Sequence, residues 1–187
     1  MLLLGVLQAQ AAGQAAGSFD LLETQVLASS AASVTFSSLS TYAADYQHLQ
    51  IRAVIGATAA NARLWMRLNG TTSGYAWHML RGNGSSVSSE GPTSQPAIRL
   101  INNIGTTSNA YGAAIIDLLD AFDTAKNKTV RSLGGGATGA NEINLNSGSS
   151  FSTSALDSVT FGLGETTISQ QNLATGSRFS LYGIKAA

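Results

Sequence analysis

Three groups of residues in this sequence are of types that could do chemistry. Asp117, Asp120 and Asp123 set three carboxylates in one short span, and hard oxygen donors grouped on a loop are what calcium takes. The spacing is not that of an EF-hand, and the glycine that turns such a loop is missing. The alternative is a solvated turn in which Lys126 or Lys128 neutralises the acids. His48 and His78 are the two imidazoles. A nucleophile needs a serine held beside one of them, and no Gly-x-Ser-x-Gly elbow exposes one. Each then reads as a hydrogen-bonded rim residue on a strand. Gly134-Gly135-Gly136-Ala137-Thr138-Gly139 fits G-x-G-x-x-G, but that motif holds a pyrophosphate only where a helix opens behind it. Asn141, Asn144, Asn146 and Gly148 argue against a helix, so a plain loop is expected. Glycoside hydrolysis takes two facing carboxylates, and ten thinly spread acids place no such pair.

Binding is the other chemistry to weigh. Trp65, Tyr75 and Trp77 fall near Arg63 and Arg67, and aromatic rings beside arginine can stack on sugars. These five residues are a candidate ligand or subunit contact face. The competing reading is cross-strand packing between subunits or under a loop. Asn69-Gly70-Thr71, Asn83-Gly84-Ser85 and Asn127-Lys128-Thr129 match glycosylation sequons by pattern only.

The elements that position these residues read as strands. In Tyr46–Gly56, Leu49, Ile51, Ala53 and Ile55 share one parity, with His48, Gln50 and Arg52 on the other. In Arg63–Gly70, Leu64, Met66 and Leu68 alternate with Arg63, Trp65 and Arg67. Alternate side chains of a strand point to opposite faces, so each run has one face for a core. Joined by the small residues 57–62, the two runs are expected to form the central antiparallel pair of a β-sandwich. Further strands are expected at 19–27, 33–37, 75–81, 97–101, 112–118, 126–133, 142–145, 158–163 and 178–185. The run 112–118 is apolar on both parities up to Asp117, as for a strand covered on both sides or buried against a neighbour. Residues 117–126 could make a short helical turn. Asn69-Gly70 and Asn83-Gly84 are turn dipeptides, 85–96 is a polar loop closed by Pro92 and Pro96, and 134–139 is a glycine-rich connection. About ten short strands without a long helix predict an all-β antiparallel sandwich.

Composition narrows the classes. At 187 residues the chain fits one domain able to bury about two thirds of its unfolded surface. It is 44% hydrophobic but only 11% charged, well below the usual quarter or so, a surface suited to dense packing in an assembly. Ten basic and ten acidic side chains cancel, which predicts no nucleic-acid partner. No cysteine is present, so disulfides and thiolate metal sites are excluded.

Residues 1–18 read as an apolar arm and spacer, and 19–187 as the sandwich domain. Leu2, Leu3, Leu4, Val6 and Leu7 make the start aliphatic, yet no Lys or Arg precedes Arg52, which is unlike a signal peptide. The run is also too short to span a bilayer. The expectation is an assembly arm docking on a partner, with packing on its own domain as the alternative.

Several stretches carry a resemblance. They are Ser18-Phe19-Asp20-Leu21-Leu22-Glu23-Thr24 after the apolar start, then Ser33-Val34-Thr35-Phe36-Ser37-Ser38-Leu39, and Asp45-Tyr46-Gln47-His48-Leu49-Gln50-Ile51-Arg52. Arg67-Leu68-Asn69-Gly70, the surroundings of Asn83-Gly84-Ser85, and Asp120-Ala121-Phe122 with Lys126-Asn127-Lys128-Thr129 follow. The ending Gly176-Ser177-Arg178-Phe179-Ser180-Leu181-Tyr182-Gly183 completes them. In this order they resemble a family of virion structural proteins of tailed bacteriophages, particularly phages of marine bacteria and cyanobacteria. The resemblance implies a jelly-roll-like sandwich, assembly as multimers, no enzymatic activity and no cofactor. Its members are head decoration, cement, knob or tail-fibre components.

The expected role is therefore a capsid cement or decoration protein, a homotrimer over the major capsid protein at the virion surface, with no membrane partner. The alternative is a tail-fibre or knob module that meets a host-surface glycan through Trp65, Tyr75 and Trp77.

Overall fold

The computed structural model describes residues 18–106, 109–136 and 142–185. The assembly arm expected at Leu2, Leu3, Leu4, Val6 and Leu7 lies outside the described residues. Twelve strands are present among them: β1 (Phe19–Val26), β2 (Ser33–Phe36), β3 (His48–Ile55), β4 (Ala62–Leu68), β5 (Tyr75–Gly82), β6 (Val87–Glu90), β7 (Ile98–Ile104), β8 (Gly112–Leu119), β9 (Lys128–Gly136), β10 (Glu142–Ser150), β11 (Val159–Gly164) and β12 (Arg178–Ile184). A short 3-10 turn spans Leu39–Tyr42. Every strand pairing is antiparallel, and they form an eight-stranded sheet ordered β1-β12-β3-β8-β9-β10-β5-β6 and a four-stranded sheet ordered β2-β11-β4-β7. The chain is an all-β antiparallel sandwich.

Alternation builds the core as expected. Leu49, Ile51, Ala53 and Ile55 of β3 are buried, as are Val159, Phe161 and Leu163 of β11. Phe179 of β12 stacks on Phe161 of β11 with ring centroids 5.3 Å apart, joining one sheet to the other. Each such side chain contributes about 1.5–3 kcal/mol on full burial.

Four expectations are corrected. The runs carrying β3 and β4 are not a pair, because they lie in different sheets. The link between them does not turn back. Gly56 N–H donates to Ser177 Oγ at 3.1 Å, Ala57 N–H to the Gly105 carbonyl at 3.3 Å, and Ala57 bridges Leu173. These bonds carry the chain across the end of the sandwich. Residues 120–125 form turns, with Asp120 at φ 48, and no helix. Gly134–Gly136 continue β9 and are no loop. β8 is covered on one face only, since Ala113 and Ile115 are exposed.

Candidate functional site

Strand register sets an apolar row across the outward face of the larger sheet. Ile115 of β8 lies opposite Leu133 of β9, Leu133 opposite Leu145 of β10, and Leu145 opposite Leu80 of β5. All four are among the exposed large hydrophobic residues. The next row holds Val54, Ala113, Gly135, Ile143, Gly82 and Val87. On the other side a polar row runs through Gln50, Asp117, Arg131, Ser147 and His78.

β10 is inverted in polarity. Ile143 and Leu145 point to solvent, while Glu142, Asn144, Asn146 and Ser150 are buried. Burying a polar side chain is costly unless it is hydrogen-bonded, and β7 supplies partners for Glu142, Asn144 and Asn146, while Asn144 Nδ2 and Asn146 Oδ1 have none among the described residues. Asn102 and Asn103 side-chain amides donate to Glu142 at 3.1 and 2.7 Å, Asn102 N–H donates to Asn144 Oδ1 at 3.3 Å, and Asn146 Nδ2 donates to the Leu100 carbonyl at 2.6 Å. Glycines let β7 come this close. A Cβ on Gly134 would sit 2.9 Å from Ile101 Cγ1, one on Gly148 would sit 2.6 Å from Ile98 Cγ2, and one on Gly136 would overlap the Asn103 carbonyl oxygen.

The outward face is not flat. A trough of about 860 Å³ is lined by small Ala113 and Gly135, by Ile115, Leu133 and Ile143, and by Leu21 towards the β1 edge. Arg52 and Arg178 also line it, and no acidic residue does. Arg52 is held in place: its guanidinium lies 5.2 Å from the ring centroids of both Phe19 and Tyr182, which stack at 4.8 Å, and its Nε donates to Gln50 Oε1 at 3.1 Å. A second hollow of about 560 Å³ is lined by His78, Leu80, Glu90, Arg131 and Leu145.

The candidate ring face is not on the surface, and the competing reading of packed rings describes it better. Trp65, Tyr75 and Trp77 are buried, none more than 3% exposed. β4 pairs one-for-one with β11 from Arg63 to Leu68, so Trp65 keeps the parity of Arg63 and Arg67, and the register shifts beside it put the extra residues in β7. Trp65 then meets Trp77 edge-on at 6.1 Å and donates its Nε1–H to the Gly164 carbonyl at 2.9 Å. Tyr75 OH accepts from Leu68 N–H at 2.9 Å. Arg63 and Arg67 are half-buried and satisfy local groups. Arg63 donates to the Glu165 carbonyl, and Arg67 to the Pro96 carbonyl at 2.9 Å and Thr167 Oγ1 at 3.0 Å. No ring of the three presents a face to a sugar.

A residue missed in the sequence sits in this region. Arg99 of β7 is buried, with its guanidinium 4.2 Å from the Trp77 centroid and 5.9 Å from that of Trp65, and it is ion-paired to Glu90. Burial pulls its pKa down, and Glu90 opposes that shift. The available signal was one charge inside the apolar run Ala97–Ile101.

The groups weighed for catalysis do not converge. Lys126 Nζ lies 3.0 Å from Asp120 and 3.1 Å from Asp123, which raises its pKa. The Lys126 hydrogen bond lowers the Asp120 pKa, and the Ala125 N–H, ahead of Lys126, lowers that of Asp123. Asp117 stands apart on β8, accepting from Gln50 Nε2 at 2.8 Å. Among the described residues no three His, Cys, Asp or Glu side chains gather as metal ligands. His48 Nδ1 accepts the Asp120 N–H at 2.9 Å. His78 is exposed on β5, separated from β3 by β8, β9 and β10. Of the glycine motif, residues 137–139 fall outside the described residues. Compared with known protein families and with curated proteins, the chain matches none.

Proposed function

We propose that this chain is a non-enzymatic structural protein of a tailed-bacteriophage virion, a cement or decoration subunit that clamps major capsid protein subunits together as a homotrimer. The observation that carries the reading is the inverted strand β10, with Ile143 and Leu145 outward in apolar rows and asparagines inward. A sheet face open to water is normally polar, and apolar patches of this kind mark surfaces that another protein covers. The low charge of the chain fits the same role. The family resemblance of its strand and turn motifs supports the virion setting.

The strand order supports a finer reading of the fold. We read β1-β12-β3-β8 facing β2-β11-β4-β7 as jelly-roll wiring. In this reading hairpin β5–β6 and strands β9 and β10 are insertions that widen one sheet. That widened part carries most of the apolar row, so the insertions are the specialised part of the molecule. Residues 1–18 serve as the arm of the assembly.

Copy number in purified virions tests the proposal. Hundreds of copies per particle are expected for a cement or decoration protein. A few tens or fewer would place the chain in a tail fibre or knob instead, and absence from particles would overturn the virion reading.

A further inference from the structure

We propose that the trough on the larger sheet receives the segment Met1–Leu7 of a neighbouring copy, so that arm and trough lace copies together. This rests on the assembly reading above and names the partner of its apolar face.

The chemistry of the two parts matches. The segment offers Leu2, Leu3, Leu4, Val6 and Leu7 and no charged side chain. The trough offers Val54, Ala113, Ile115, Leu133 and Ile143 and no acid. Its volume of about 860 Å³ falls in the range, roughly 300–1,000 Å³, of clefts that take a ligand. Arg52 and Arg178 in the lining can donate to the carbonyls of an extended incoming chain, groups that need partners once water is expelled.

Length and direction favour a neighbour over the same chain. Residues 8–18 span at most about 36–40 Å when extended, enough to leave one molecule and enter another. β1 starts at Phe19, opposite Ile184, and the apolar rows lie towards its other end, where Val26 faces Arg178 and Arg178 faces Val54. Ser18 continues the pairing of β1 with β12, its carbonyl accepting from Lys185 N–H at 3.2 Å, so at Ser18 the chain runs away from the row of Val54, Ala113 and Ile143. Leu21 on the near rim keeps the trough within reach of the same chain's spacer, and the doubly substituted chain below separates that outcome. A head-to-tail contact between copies closes into a ring when the rotation permits, as a trimer does.

The chain has no cysteine, which makes disulfide trapping a clean test. Leu2→Cys, Leu4→Cys and Leu7→Cys are made singly in the full chain, and Ile143→Cys in another preparation. Mixed under mild oxidation, an arm variant and Ile143→Cys should link about tenfold faster than the arm variant with Phe151→Cys, because docking raises the local concentration. Phe151 is exposed beyond the far end of β10. Linkage no faster than this control would overturn the proposal. So would rapid closure within one chain carrying both substitutions in a verified monomer, since the arm then docks at home. In full-length protein, Ile115→Arg should weaken self-association about tenfold, and unchanged association would count against the trough. The virion reading is read separately. Linkage in a protein absent from particles keeps the arm contact and removes the virion role, while presence in particles without linkage removes the arm contact alone.

Discussion

Asn144 and Leu145 are neighbours in β10, and the asparagine is the buried one, 0% exposed against 54% for the leucine. The strand is thus turned inside out relative to its composition. Its polar side answers the backbone and side chains of β7, and its apolar side joins Leu133 and Leu80 on the outer face.

Replacing Leu145 or Leu133 by serine should change the stability of the dilute chain by less than about 0.5 kcal/mol, as for other outward positions. The same substitutions should weaken association between copies. Urea unfolding and sedimentation on the same samples check both halves. A loss of several kcal/mol in the dilute chain would place these leucines inside the core.

Asn144→Ala should be the costlier change although it removes less apolar surface. It leaves the Asn102 N–H without its side-chain acceptor, a penalty of about 1–3 kcal/mol for a buried donor. Urea denaturation reads it directly, and a neutral result would mean water already serves that group.

Much of the fold was legible in the sequence, and the reason is local. In β3 the inward residues are apolar, so parity alone assigned Leu49, Ile51, Ala53 and Ile55 to the core. Partner choice was not legible, because the alternation of β3 and β4 is the same whether they pair or lie in opposite sheets. The outward apolar face was hidden for a related reason. The inward face of β10 is set by glycines of β9 and β10 that admit β7, a long-range cause with no trace in local periodicity.

Trp77→Ala should cost about 3–5 kcal/mol, the usual range for emptying a large aromatic site. Arg99→Met should cost less, about 1 kcal/mol, because Glu90 is 44% exposed and can return to water. Both tryptophans of the chain belong to this contact, so a shift in fluorescence should accompany either change. Equal losses for the two variants would show that the ion pair, and not the packed rings, dominates.

Tyr46 gives the protein an alkaline signature. Its hydroxyl donates to Asp20 Oδ2 at 2.8 Å, and burial first, then that hydrogen bond, pushes its pKa up to about 12. The ordinary value is 10.0, so the folded chain holds the proton more tightly than the unfolded one. The stabilising contribution is complete below pH 10 and is lost as pH rises through the folded value. Melting temperature should fall between these limits in the parent protein and fall less in Tyr46→Phe. In a spectrophotometric titration the signal lost in Tyr46→Phe should be a late-ionising one, and an unchanged slope of melting temperature with pH in Tyr46→Phe would disprove the assignment.

The outward row of Ile115, Leu133, Leu145 and Leu80 also has a thermal consequence. Contacts made by burying aliphatic surface weaken on chilling and tighten in sulfate, because their driving force lies in the water they release. Contacts made by ion pairs loosen instead when salt is added. Copies joined through these four residues should therefore come apart on ice and hold together in brine.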